Sequence, residues 1–137
     1  MAGATWQGDL KSGKGVVSAK SSKLFTDAPV TWAARTEEPE GMTSPEELIA
    51  AALASCFCMA LSDELTQRSH PPSQLQIEAV AVFEGGKVTR VDLEVIAQVP
   101  GLDEPGFREA VGAAEGSCPV SNALRGNVEI GVKAHLA

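Results

Sequence analysis

The stretch SPEELIAAALASCFCMALSDELTQR, Ser44 to Arg68, decides the fold. Ser44 is placed as an N-cap, Pro45 at the first helical position and Glu47 at the third, a capping box with the usual N-terminal proline. Glu46 and Glu47 put two carboxylates against the positive end of the helix dipole. The helix so opened is predicted to run to about Arg68, with His70-Pro71-Pro72 stopping the chain. From Leu48 to Leu61 only Ser55 interrupts the apolar residues, so no polar face is left and the helix is expected to be buried all round. Those fourteen residues are too few to span a bilayer, which needs about 20. Alanines at 50, 51, 52, 54 and 60 allow close approach of neighbours. A chain of 137 residues has difficulty enclosing such a helix alone, so a second copy is expected to cover part of it, giving a homodimer.

Upstream, Thr5 to about Trp32 reads as short strands and tight turns, punctuated by Gly8-Asp9, Ser12-Gly13 and Gly15. Strands are predicted over 15–19 and 30–35, and the loop EEPEGM follows over 37–42. Downstream, alternating segments 74–84 and 87–99 meet at Gly85-Gly86, a hairpin signal. A helix over 104–115, a break at Gly116-Ser117, a short helix from Cys118-Pro119 to about Arg125 and a strand over 127–135 complete the chain. This layout, βββ-α-ββ-αα-β, predicts an α+β fold with helices packed on antiparallel sheet. No internal repeat or linker divides it, so a single domain over 1–137 is expected.

Composition narrows the function. Apolar residues make up 44% and charged residues 21% of the chain, which excludes disorder, collagen and coiled coil. Eleven Lys and Arg against 18 Asp and Glu leave a net charge of −7. That sign repels phosphate backbones and anionic lipid surfaces, so neither nucleic acid nor membrane is an expected partner. The amino-terminal residues carry no apolar run of signal-peptide type, and a cytoplasmic protein with reduced thiols is expected. Two histidines and no tyrosine leave few groups for proton chemistry, and the three cysteines become the informative residues.

Cys56 and Cys58 stand about 200° apart around a helix and cannot bridge each other without unwinding it. Either could be a small buried hydrophobe, and Cys58 is read that way. Cys118, in Gly116-Ser117-Cys118-Pro119-Val120-Ser121, stands at the start of a helix, a position that lowers a thiol pKa.

Three ordered motifs resemble the OsmC/Ohr family of thiol-dependent peroxidases. They are Ser44-Pro45-Glu46-Glu47-Leu48, Ala54-Ser55-Cys56-Phe57 followed by Met59-Ala60-Leu61, and Cys118-Pro119-Val120-Ser121. Trp6-Gln7-Gly8-Asp9 and Gly13-Lys14-Gly15 resemble the OsmC branch, although the segment from Arg35 to Pro45 is a residue longer than its usual spacing. The resemblance implies an OsmC-like fold in an intertwined homodimer. It also implies a peroxidatic Cys56, a resolving Cys118, and active-site roles for Arg35 and Glu46.

The reaction so implied reduces ROOH, organic hydroperoxides ahead of hydrogen peroxide, to ROH and water. Cys56 must attack as a thiolate, and a guanidinium such as that of Arg35 would stabilise it and bind the peroxide. A sulfenic acid on Cys56 would then condense with Cys118. No bound cofactor or metal is expected; the family points to an external dithiol, dihydrolipoamide or a lipoylated protein. Glu46 lies ten residues before Cys56, a rise of about 15 Å on one helix, so a site using both would be shared between chains. Phe57, Met59, Phe25 and Trp32, with Leu24, are candidates to line an apolar substrate pocket. Cys-x-Cys on a helix is not a zinc spacing, neither histidine is placed as a base, and no phosphate-binding glycine motif follows Gly13-x-Gly15. The competing reading is a non-catalytic redox sensor, or a dimer that binds an apolar ligand.

Overall fold

Short strands separated by turn residues open the computed structural model, which describes Met1 to Ala137. The chain forms two compact units, Met1–Leu48 and Ile49–Ala137. In the first, β1 (Gly3–Gln7), β2 (Lys14–Ser18) and β3 (Ala28–Val30) make an antiparallel sheet in that order. Asp9 holds the β1–β2 turn: its carboxylate accepts from Ser12 Oγ at 2.6 Å, Ser12 N at 2.8 Å and Lys11 N at 2.9 Å. Those bonds, the Ser12 hydroxyl foremost, lower its pKa. Gly15 is required for the sheet, since a Cβ there would lie 2.6 Å from Trp6 Cε3 and 2.7 Å from the Thr5 carbonyl.

The strand predicted over 30–35 is corrected. β3 ends at Val30, and Trp32–Thr36 forms a short helix, α1. Thr31 Oγ1 accepts from Ala34 N at 3.1 Å, and this cap turns the chain into helix before the alternation can continue. A long helix, α2 (Pro45–Gln67), begins in this unit, where Ser44 Oγ accepts from Glu47 N at 3.1 Å.

The second unit contains the rest of α2, β4 (Gln74–Glu84), β5 (Lys87–Gln98), α3 (Glu104–Ser117), α4 (Pro119–Leu124) and β6 (Glu129–Leu136). β4 and β5 form the expected hairpin, with Gly85 and Gly86 at φ 57° and 77°, as a tight primed turn requires. The sheet order is β4-β5-β6, and β6 runs parallel to β5. The expectation of a wholly antiparallel sheet is therefore corrected for this strand. The chain crosses over through α3 and α4 before returning, which is the connection a parallel neighbour needs.

Val91, Leu93, Val95 and Ala97 point from β5 into a core shared with Phe107, Ala110, Val111 and Ala114 of α3. Leu53, Phe57, Leu61 and Leu65 contribute the α2 stripe to the same core. That spacing follows the helical repeat, and each large side chain so buried contributes about 1.5–3 kcal/mol. The opposite side of α2 is open: Ala51, Ala52 and Ser55 are exposed and Met59 is 73% exposed. Within one chain the expectation of all-round burial is thus not met. The single layer formed by β5 and α3 covers one stripe of the helix. Length and composition alone would let the 23-residue α2 cross a bilayer, but its buried stripe is that of a core helix.

The predicted break at Gly116-Ser117 moves to Cys118, because α3 continues through Ser117. Pro119 excludes the α region for the residue before it, and Cys118 accordingly adopts φ −68° and ψ 114°. Cys118 caps both helices: its N–H donates to Ala114 O at 2.9 Å and its carbonyl accepts from Asn122 N at 3.0 Å.

Candidate active site

Two thiols meet in the second unit. Cys56 is half-buried on the flank of the α2 core stripe, and Cys118 is fully buried at the joint between α3 and α4. Both are free, and each is close enough to the other to shift its pKa. Burial pushes the Cys56 thiol up; the Val120 N–H opposes this, and the neighbouring Cys118 sulfur raises it further. Burial acts upward on Cys118 too, but the Ser121 hydroxyl and N–H, Cys56 and the Val120 N–H all favour its thiolate, leaving its pKa lowered. In this arrangement Cys118 is the better thiolate and Cys56 the more accessible sulfur.

Cys58 occupies the other flank of the α2 stripe, where burial raises its pKa. It borders an open groove of about 590 Å³ with Met59, Ser62, Pro72 and Leu75. The roughly 200° of helix rotation between residues 56 and 58 keeps it away from the Cys56–Cys118 pair.

The first unit holds the other two predicted polar residues together. Arg35 Nη2 donates to Glu46 Oε1 at 2.8 Å, and Arg35 Nε lies 3.1 Å from Oε1 and 3.2 Å from Oε2. Glu46 is only 7% exposed, an uncommon setting for a carboxylate and one that requires such pairing. Trp32, one turn earlier on α1, places its ring 5.6 Å from Arg35 Cζ. The guanidinium is therefore held on its edge by a carboxylate and on its face by an indole.

The predicted lining residues divide between the two units, Phe25 and Trp32 in the first and Phe57 and Met59 in the second. Phe57 is a core residue with no exposed surface, because it falls on the buried α2 stripe, and it cannot offer a surface to substrate there. Met59 lies on the open side of α2 and Leu24 is also exposed, whereas Phe25 is half-buried between β2 and β3. Trp32 serves Arg35. One residue without an assigned role in the sequence reading belongs to the thiol site. Ser121 follows Cys118 by three positions on α4 and is 1% exposed, and its hydroxyl and N–H both act to lower the Cys118 pKa.

A family model described as OsmC-like protein matches residues 38–133. Peroxiredoxin OsmC of Escherichia coli (strain K12) is 37% identical over 131 residues, covering 93% of this chain and 90% of that protein. The organic hydroperoxide resistance protein of Xanthomonas axonopodis pv. citri (strain 306) is 34% identical over 92 residues, 64% of this chain and 63% of that one. Among solved structures, an OsmC like protein from Mycoplasma pneumoniae shares the fold with a TM-score of 0.75. The match covers 100% of this chain and 96% of that one, at 14% identity.

Proposed function

Since this chain belongs to the OsmC-like protein family, we propose that it is a thiol-dependent peroxidase reducing organic hydroperoxides, and hydrogen peroxide more weakly, through Cys56 and Cys118. The observation that carries this reading is that those two thiols, distant in sequence, join one core and lie close enough to shift each other's pKa. The Cys56 thiolate attacks one peroxide oxygen, the O–O bond breaks, and the alkoxide takes a proton to leave as alcohol. Cys56 is then a sulfenic acid, and Cys118 displaces its oxygen as water to form a disulfide. An external dithiol, dihydrolipoamide or a lipoylated protein, restores both thiols. No bound cofactor takes part, and a reducing cytoplasm suits the resting thiols.

Arg35 is the proposed guanidinium for the reacting anion, with Glu46 orienting it. The active assembly is proposed to be a homodimer, because the apolar side of α2 is open within one chain. Hydroperoxide consumption with dihydrolipoamide as donor tests the reading. Wild type is expected to turn over, Cys56→Ser to lose activity, and Cys118→Ser to complete about one turnover before over-oxidising. Full turnover by Cys56→Ser would remove the central assignment.

A further inference from the structure

We propose that Asn122 and Arg125 are positioning residues that clamp the end of α3 to α4 and so hold Cys118 where it can close the disulfide with Cys56. The inference deepens the peroxidase reading above and rests on it. Pro119 creates the need for the clamp. In an α-helix each carbonyl accepts from the N–H four residues on, so Glu115 O would look to residue 119, and proline has no N–H to give. Gly116 O would look to the Val120 N–H, but the extended backbone of Cys118, at ψ 114°, breaks the helical path. Gly112 and Gly116 also weaken the last turns of α3.

Side chains from beyond the joint supply both missing donors. Arg125 Nη2 donates to Glu115 O at 2.7 Å, and Asn122 Nδ2 donates to Gly116 O at 3.1 Å. Arg125 Nη1 donates to Asn122 Oδ1 at 3.0 Å, which links the two side chains and turns the amide nitrogen toward Gly116. The guanidinium also sets a positive charge at the negative end of the α3 dipole.

Cys118 is the single residue between the two helices, and its side chain is fully buried in the core against which Cys56 packs. With six residues, α4 is too short to be stable as an isolated helix. Val120 and Leu124 pack it on the core, and the clamp fixes its angle to α3. Disulfide closure depends on that angle. The Cys118 thiolate attacks the sulfur of the Cys56 sulfenic acid, the S–O bond breaks, the S–S bond forms, and the departing hydroxide takes up a proton as water. A misplacement of about 1 Å in such a step can cost about 10²-fold in rate.

Exchange with glutathione measures this placement without hydroperoxide, so its failure is distinct from failure of the peroxidase reading. Oxidised glutathione takes two electrons and two protons from the thiol pair and becomes two molecules of glutathione. The equilibrium ratio gives the effective concentration of one protein thiol at the other, read in a Cys58→Ala background. Arg125→Met is expected to lower it about tenfold and Asn122→Ala about threefold. Both residues are exposed, so the variants are expected to fold. Arg125→Lys keeps the charge without the planar fork and is expected to recover less than half of the loss. Asp103→Ala removes the cap at the far end of α3, where Asp103 Oδ1 accepts from Gly106 N at 2.8 Å, and controls for general weakening of that helix. It is expected to leave the value within about twofold of the parent. An unchanged or raised value in Arg125→Met and Asn122→Ala overturns the proposal. So does full recovery in Arg125→Lys, an equal fall in Asp103→Ala, or a parent protein that forms no Cys56–Cys118 disulfide.

Discussion

Glu46 has two readings that differ in energy, and replacing it separates them. If it only complements the α2 dipole, Glu46→Gln should cost about 0.3–1 kcal/mol and should be indifferent to Arg35. The structure instead gives it close contacts to Arg35 Nη2 at 2.8 Å and Nε at 3.1 and 3.2 Å, with side-chain exposures of 28% for Arg35 and 9% for Glu46. Removing one partner of a buried pair costs about 3–5 kcal/mol, because the other charge is left uncompensated. The exposed fraction of Arg35 admits some water, so about 2–3 kcal/mol is expected for Glu46→Gln. For a chain of this length that corresponds to a fall in Tm of roughly 5–10 °C. The assay is a double-mutant cycle by urea denaturation with Arg35→Met, Glu46→Gln and the pair. A coupling of about 1.5–2 kcal/mol is expected, with the double variant little worse than Glu46→Gln alone. Additive effects, with coupling below about 0.5 kcal/mol, would refute the argument. In parallel, kcat/KM for tert-butyl hydroperoxide should fall in Glu46→Gln, since a guanidinium without its carboxylate loses its fixed orientation.

Cys58→Ala is expected to keep kcat/KM within about twofold, since burial raises its thiol and the helix turns it from Cys118. Mass mapping after stoichiometric hydroperoxide should find Cys58 still reduced. For the reduced protein, the lowered Cys118 pKa adds stability as pH rises from its folded value to that of an unfolded cysteine, about 8.5, and that gain disappears on acidification. The raised values of Cys56 and Cys58 act oppositely, removing stability above about pH 8.5. Urea midpoints between pH 6 and 10 should therefore rise less in Cys118→Ser and decline less steeply in Cys58→Ala; unchanged profiles would contradict the assigned directions. Thr31→Ala removes the cap that accepts from Ala34 N and should cost about 1 kcal/mol. Because α1 carries Arg35, peroxidase activity should fall with it, and unchanged activity would detach α1 from the site.

The Pro45–Gln67 helix, the Gly85-Gly86 hairpin and Cys118 at a helix boundary were legible because each is written in local chemistry: a cap, two glycines and a proline. What escaped the sequence depends on other kinds of information. α1 is one and a half turns long, too short to display a period, and its Thr31 cap stands in what reads as a strand. The parallel placement of β6 is a crossover property, decided by where α3 and α4 deliver the chain and not by the alternation of its residues. Phe57 was misread because nearness to Cys56 in sequence was taken for nearness in space; about 100° of helix rotation turns it into the core. Ser121 lay inside a quoted motif, yet its burial at the α3–α4 joint is not something a sequence displays.

The thiol chemistry poses a problem whose answer bears on the assembly. The sulfur proposed to attack peroxide, Cys56, is the one whose thiolate its surroundings disfavour, with only the Val120 N–H acting in its support. The polar groups of Val120 and Ser121 favour the Cys118 thiolate instead. A resolving thiol can afford to be the stabilised one, because its task is to close and then leave. In the proposed mechanism the attacking thiol draws on a fixed cation, and the guanidinium proposed for it, Arg35, is held by a buried carboxylate and an indole. Glu46, its partner, precedes Cys56 by ten residues of sequence. In the homodimer proposed above, a second chain would supply this cation and would also cover Ala51, Ala52, Ser55 and Met59, the side of α2 left open to water within one chain. Electrostatic need and uncovered surface are independent features of one helix, and the proposed homodimer would answer both, so an active monomer in sedimentation would remove it.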